Sequence, residues 1–241
     1  MIELSCDATK VLHMHGAKEC IILERINKFT VQVILNGVTR SAYLNNTGRL
    51  SDYISHGKRG FCIEHQRKTK TACRLFAVRD GNQAALLDTQ IQMKTLEKII
   101  ASNLIPWIRG CRILRRNAKL DSSRIDYLLE YDGEEAYLEV KSAVLRNGKY
   151  AMYPDCLSLR GRRHIMRLTK HAKEGGRGIL LFIAALPDVK AFKPNTLADS
   201  KIGHLLSEAK EAGVNIRALE LYYNPKDSHV YLSNPNLQVE L

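Results

Sequence analysis

A chain of 241 residues, 45% of them hydrophobic, can fill one large core or two modest ones. No apolar run approaches the ~20 residues of a membrane span, and the start MIELSCDATK lacks both a basic n-region and an apolar h-region, so a non-membrane, cytoplasmic protein is expected. Thirty-seven Lys and Arg oppose twenty-five Asp and Glu, and the resulting +12 suits a polyanionic partner, of which nucleic acid is the usual one.

The first eighty residues alternate as short strands: 19–24, 29–35, 38–44, 60–65 and 72–78. Asn36-Gly37, between two alternating runs, is the signature of a type I′ hairpin. Five strands in so little chain predict a small all-β barrel of the OB type, with an SH3-like barrel or small sandwich as alternatives that read the same way. The cations of this half cluster: Lys58, Arg59, Arg67, Lys68, Lys70, Arg74 and Arg79 face a single acid, Glu64. Tyr43, Tyr53 and Phe61 are aromatic at strand positions, which favours a core role over base stacking.

Near Gly81-Asn82 the period changes from two to about 3.6, which sets a boundary between residues 1–82 and 83–241, each expected to hold its own core. A strand at 83–89 leads into a helix ending near Ser102, for which Thr89 and Gln92 form a capping box. Strands at 111–116, 124–131 and 135–144 follow, then a helix from Ser158 to Glu174 stopped by Gly175-Gly176. The apolar run 178–186 reads as a central strand buried on both faces, followed by a helix at 200–212 and two closing strands. The order predicts an α/β domain with a mixed sheet flanked by helices. Six cysteines include no C-x-x-C pair, and Cys6, His13, His15 and Cys20 match no common zinc spacing.

The chemistry concentrates in SRIDYLLEYDGEEAYLEVKSAVL, residues 123–145. A turn at Asp132-Gly133 pairs residue 131 with 134, so paired numbers sum to 265 and Asp126 falls opposite Glu139, with Arg124 and Lys141 on the same face. Two carboxylates with a lysine beside them suit a hard divalent ion, which would acidify a water for Lys141 to orient. The same four residues would also serve as cross-strand ion pairs on a solvated face.

The pattern ID at 125–126 with LEVK at 138–141, ahead of a basic helix and a buried strand, resembles the PD-(D/E)XK nuclease superfamily. With NNTGR (45–49), RKTK (67–70) and YPDCLSLRGRRHI (153–165), the chain as a whole resembles the sugar fermentation stimulation protein A family. That resemblance implies an OB-like N-terminal part, a restriction-endonuclease-like C-terminal part and DNA binding. It casts Asp126, Glu139 and Lys141 as catalytic residues, with Asp126 and Glu139 as Mg²⁺ or Mn²⁺ ligands. It also makes Glu97, on the preceding helix, a further metal acid. Two departures stand out: LRRNA places Asn117 where the family carries a Glu, and SLRG places Leu159 where the family has an acid.

A second cluster, Arg160 to Arg177, holds seven basic residues and two histidines against Glu174, and Arg160, His164, Arg167 and His171 share one helical stripe. The expected DNA contacts are Arg49, Lys58, Arg59, Arg67, Lys68, Lys70, Arg124, Arg160, His164 and Arg167. The leading expectation is a DNA-binding protein with a metal-dependent phosphodiesterase site, the other a DNA-binding regulator with a silent nuclease fold. RNA as a partner and a homodimeric state both stay open.

Overall fold

The computed structural model describes residues 8–66 and 70–241; Cys6 and the expected DNA contacts Arg67 and Lys68 lie outside the described residues. In chain order the first elements are β1 (Thr9–His13), β2 (Ala17–Asn27), β3 (Thr30–Leu35), β4 (Val38–Leu44), β5 (Arg59–Glu64), β6 (Cys73–Asp80), β7 (Gln83–Leu86) and α1 (Thr89–Ala101). The central hairpins are β8 (Arg112–Leu120), β9 (Ser123–Tyr131), β10 (Glu134–Ala143), β11 (Leu145–Asn147) and β12 (Tyr150–Tyr153). The chain ends with α2 (Leu159–Lys173), β13 (Arg177–Ala184), β14 (Ala191–Pro194), α3 (Ile202–Glu211), β15 (Asn215–Asn224) and β16 (His229–Val239).

Alternation along β2, β3 and β4 turns Cys20, Ile22, Val31, Val33, Leu35, Ala42 and Leu44 inward. Asn36 and Gly37 have φ of 53° and 75°, the two left-handed positions of a type I′ turn. β2 pairs with β3 and β5, β3 with β4, β4 in parallel with β6, and β6 with β5, so five strands close on themselves. Closure leaves no free edge, and the result is an OB-type barrel. Tyr53 and Phe61 belong to its core, while Cys20 Sγ lies 3.3 Å from Cys62 Sγ inside it, away from any site with His13 and His15.

The C-terminal sheet runs β8-β9-β10-β13-β15-β16, with β10, β13 and β15 parallel. β13 is buried from Gly178 to Ala184, as a central strand covered on both faces must be. α2 packs on β13 and against α3. The mixed sheet with flanking helices and a β9–β10 hairpin is restriction-endonuclease-like, as expected.

Two expectations change, the cap of α1 and the separate cores. The cap of α1 is Asp88, whose side chain accepts from Ile91 N at 3.0 Å, while Thr89 inside the helix donates to Asn45 O at 2.9 Å. β1, although first in sequence, pairs antiparallel with β16, and β7 pairs with both β6 and β15. The buried side chains of both halves accordingly form one continuous cluster, where separate cores were expected.

The seam is also polar. Arg146 Nη2 donates to Asp80 Oδ2 at 2.9 Å and to Pro187 O at 2.6 Å, and the buried Tyr53 hydroxyl donates to the same Asp80 oxygen at 2.8 Å. Replacing Arg146 with Met leaves Asp80 partly buried without its cation. The expected loss is about 1–3 kcal/mol after discounting for partial exposure. Urea denaturation measures it, and a loss below about 0.5 kcal/mol, the range of ordinary surface changes, would show that the seam does not depend on this pair.

Candidate functional site

The β9–β10 hairpin turns at Asp132 and Gly133, with φ of 53° and 76°, and pairs Tyr131 with Glu134 and Tyr127 with Leu138. This is the register read from the sequence. The ladder gives way at Asp126, where the carboxylate replaces a backbone partner: Oδ2 accepts from Val140 N at 2.8 Å.

Glu139 is 2% exposed. Its Oε1 accepts hydrogen bonds from Lys141 Nζ, two residues along the same face of β10, and from His164 Nδ1 of α2 at 2.5 Å. Its Oε2 is buried with no hydrogen-bond partner. Lys141 and His164 are themselves buried, so this face of the hairpin is closed by α2 and is not a solvated ion-pair surface. The charges explain one another. Burial raises the Glu139 carboxyl, but Lys141 and His164 outweigh it and hold the group below the usual range. Burial lowers the Lys141 ammonium, and the charge of Glu139 outweighs that in turn, leaving it above its ordinary value. For Asp126 the balance tips the other way: burial, then the charge of Glu139, outweigh the Val140 N–H bond and the charges of Lys141 and His164 and push its carboxyl up to about 6.

Two crowded carboxylates, one with an orphaned buried oxygen, fit a hard divalent ion that keeps several of its waters. Glu97 is a correction to that set. Its carboxylate is held by Arg116 at 2.6 and 2.7 Å and by the Tyr127 hydroxyl at 3.0 Å. Tyr127 points to the face opposite Asp126, because side chains alternate along a strand. Among the described residues no group of three His, Cys, Asp or Glu side chains gathers in metal-binding range.

The expected basic stripe of α2 splits. His164 turns into the site, whereas Arg167 donates to Asp121 at 3.1 Å and to Ser122 at 2.7 Å, and His171 packs edge-on against Tyr137. Arg160 is exposed, as are Arg49, Lys58 and Lys70, and among the described residues none of the four has an acidic partner. Arg59 lies 3.6 Å from Glu19, and Arg124 donates to Asn117 O at 3.2 Å. Asn117 is exposed with φ of 51° and sends no side chain to the carboxylates. Arg74 and Arg79 of the first cluster are tied to Asp88 and Glu19. The sequence reading missed Tyr153, whose ring packs against Phe182, the register partner of Lys141 on β13, and Arg163, exposed on α2 without an acidic partner among the described residues.

A closed OB barrel continuous with a restriction-endonuclease-like sheet, with acids and a lysine on the hairpin, defines a two-part protein of nuclease-like fold. Residues 23–87 match the model of the SfsA N-terminal OB domain, and residues 90–227 match that of the sugar fermentation stimulation protein RE domain. The chain belongs to the sugar fermentation stimulation protein family. It is 42% identical over 230 residues to the homolog from Pyrococcus furiosus, covering 95% of this chain and 100% of that one. The homolog from Archaeoglobus fulgidus is 40% identical over 230 residues, covering 95% and 99%. The solved structure of Pyrococcus furiosus SfsA in complex with Ca²⁺ superposes with a TM-score of 0.93 over 97% of this chain and 100% of that one, at 42% identity.

The raised carboxyl of Asp126 has a consequence for stability. The folded protein keeps this proton where the unfolded chain, with a carboxyl near 3.9, has lost it. The group therefore favours folding at low pH, and that advantage disappears as pH rises through about 6. In metal-free buffer Asp126→Asn is expected to match the native protein near pH 4 and to exceed it by about 1–3 kcal/mol at pH 7.5. Urea melts at the two pH values measure the difference, and a gap that stays constant with pH would contradict the assignment.

Proposed function

We propose that this protein binds DNA and hydrolyses phosphodiester bonds with a divalent ion, Mg²⁺ or Mn²⁺, held by Asp126 and Glu139. The observation that carries this reading is the buried, unpartnered Oε2 of Glu139 beside a carboxyl that its own surroundings disfavour as an anion. The structure of the Pyrococcus furiosus relative is in complex with Ca²⁺, which supports a divalent cation as a ligand of this chain. When bound, the ion supplies an acidified water and neutralises charge on the phosphate.

The chain's own residues do the rest. Val140 N fixes one oxygen of Asp126, and His164 fixes one oxygen of Glu139, so both carboxylates are oriented before any ligand arrives. Lys141, kept charged by Glu139, is the group to orient the attacking water and to stabilise the phosphate oxygen. Arg49, Lys58, Lys70, Arg160 and Arg163 are the cations left to hold the DNA backbone, since the remaining candidates are wholly or partly engaged or lie outside the described residues.

A DNA-binding regulator without turnover remains the second reading. It is favoured by the double hydrogen bonding of Glu139 Oε1 and by the diversion of Glu97 to Arg116.

Incubation with labelled single- and double-stranded DNA, with Mg²⁺, with Mn²⁺ and with EDTA, separates the two. Cleavage dependent on metal and lost in Asp126→Ala and Lys141→Ala is expected, with only Asp126→Ala losing the metal-induced rise in melting temperature. Tight DNA binding without cleavage under any metal would establish the silent regulator. Binding itself should be electrostatic. The double change Arg160→Glu, Arg163→Glu should weaken it at least about tenfold and flatten the slope of log K against log salt by about 2. An unchanged slope would place the DNA elsewhere.

A further inference from the structure

Where the barrel meets the nuclease-like sheet, a cleft of about 280 Å³ opens beside the carboxylate site. Its floor is Ser142 and Val144, which follow Lys141 along the chain. One wall is Tyr153 with Asp155, and the other is the barrel loop at Asn46–Gly48, with Lys28 at the edge.

The cleft is built, not incidental. Arg25 donates to the carbonyls of Asn46, Gly48 and Arg49 at 3.0, 2.5 and 2.8 Å, which holds the loop rigid from beneath. Asn46 Nδ2 donates to Leu87 O at 2.9 Å, and Leu50 N donates to Asp155 Oδ2 at 3.0 Å, which ties the loop to the opposite wall. Gly48 is required there, because a Cβ would stand 2.5 Å from Asp155 Oδ2. The Ser142 hydroxyl is buried and unpartnered at the floor. Tyr153 is the one aromatic ring among the lining residues, and it packs against Phe182, the register partner of Lys141 on β13, so the cleft and the candidate site share a wall.

We propose that this cleft receives one unpaired nucleobase of the DNA strand whose backbone passes Lys141. This rests on the nuclease-like reading of the neighbouring site and adds to it the substrate class: single-stranded DNA, or a duplex with an unpaired nucleotide. The lining decides the occupant. Asp155 on the wall opposes a phosphate inside, whereas a carboxylate and the unpartnered Ser142 hydroxyl match the donors and acceptors of a base edge. The volume lies just under the ~300–1,000 Å³ of drug-sized ligand sites, which fits a nucleoside and not a stacked pair. A base within a duplex cannot enter such a cleft without leaving its stack. Lys28 lines the cleft, and the exposed Arg49 stands in the barrel loop between the lining residues Gly48 and Leu50, so both are cations available to the phosphates on either side of an inserted nucleotide.

The test uses the full-length protein in EDTA, so that no strand is cut, with a dodecamer carrying one 2-aminopurine, as a single strand and as a blunt duplex. The single strand is expected to bind about tenfold more tightly than the duplex, with 2-aminopurine fluorescence quenched by stacking on Tyr153. Val144→Phe, which fills the floor, and Thr47→Leu, on the exposed rim where folding is not at stake, should bring the ratio of the two affinities close to one. Equal affinity of the native protein for both forms, or a ratio unmoved by both variants, would overturn the proposal while leaving duplex binding in place. Failure of the native protein to bind either form would instead remove the DNA-binding reading, and the cleft's role with it.

Discussion

Glu139 carries a carboxylate into a place where only 2% of the residue meets solvent, and the fold around it is arranged to keep that charge there. An unpaired buried carboxylate costs several kcal/mol, so it persists only with cations and donors at hand. Lys141 supplies the first from the same strand face, and His164 supplies the second from α2. These requirements couple three elements that are distant in sequence. β10 must present positions 139 and 141 to one face, α2 must lie across that face, and β13 must support the helix from below. The one oxygen left over, Oε2, is the part of the site that the protein does not satisfy by itself.

Gly161 is what lets α2 come so near. A Cβ at this position would stand 2.2 Å from the Tyr153 hydroxyl, so the first turn of the helix closes on β12 only because the side chain is missing. Ser158 caps that turn by accepting from Gly161 N at 3.1 Å. His164, one turn further on, is thereby brought within hydrogen-bond reach of Glu139. The same approach positions Tyr153 against Phe182 in the sheet core and leaves it as a wall of the cleft. A packing detail of one helix end therefore decides both how the acid is held and the shape of the cleft next to it.

Much of this was legible in the sequence wherever the signal was local. Asn36-Gly37 announced a type I′ turn and Asp132-Gly133 a second tight turn, which set the hairpin register that places Asp126 opposite Glu139. The apolar run beginning at Gly178 was plainly a central strand. What escaped was long-range. Alternation puts Glu139 and Lys141 on one face but does not say whether that face meets water, which is decided by α2. His164 shares a helical stripe with arginines and so read as a phosphate contact, yet the stripe lies at the border between the buried and exposed faces, and the histidine falls on the buried side. Glu97 precedes the hairpin in chain order, but its helix reaches the sheet from the Tyr127 side. β1, β11, β12 and β14 are three to five residues long, too short to show a period, and β1 finds its partner at the other end of the chain.

The charge of +12 carries a similar lesson about what composition can say. It led to an expectation of two broad basic surfaces, but the structure spends many of those cations internally. Arg74 holds the cap of α1, Arg25 fastens the barrel loop, Arg146 closes the seam, and Arg162 is paired with the buried Asp199. Each of these guanidiniums replaces water with fixed partners, and a guanidinium engaged in this way has little left to offer a phosphate. The cations without acidic partners among the described residues include Arg49 on the loop that walls the cleft and Arg160 and Arg163 at the start of α2. They lie close to the segments that enclose Tyr153 and lead to Lys141. The arginines that shape the cleft and the arginines free at its border are thus separate sets. Of these two sets of arginines, only the second carries charge that no carboxylate among the described residues offsets.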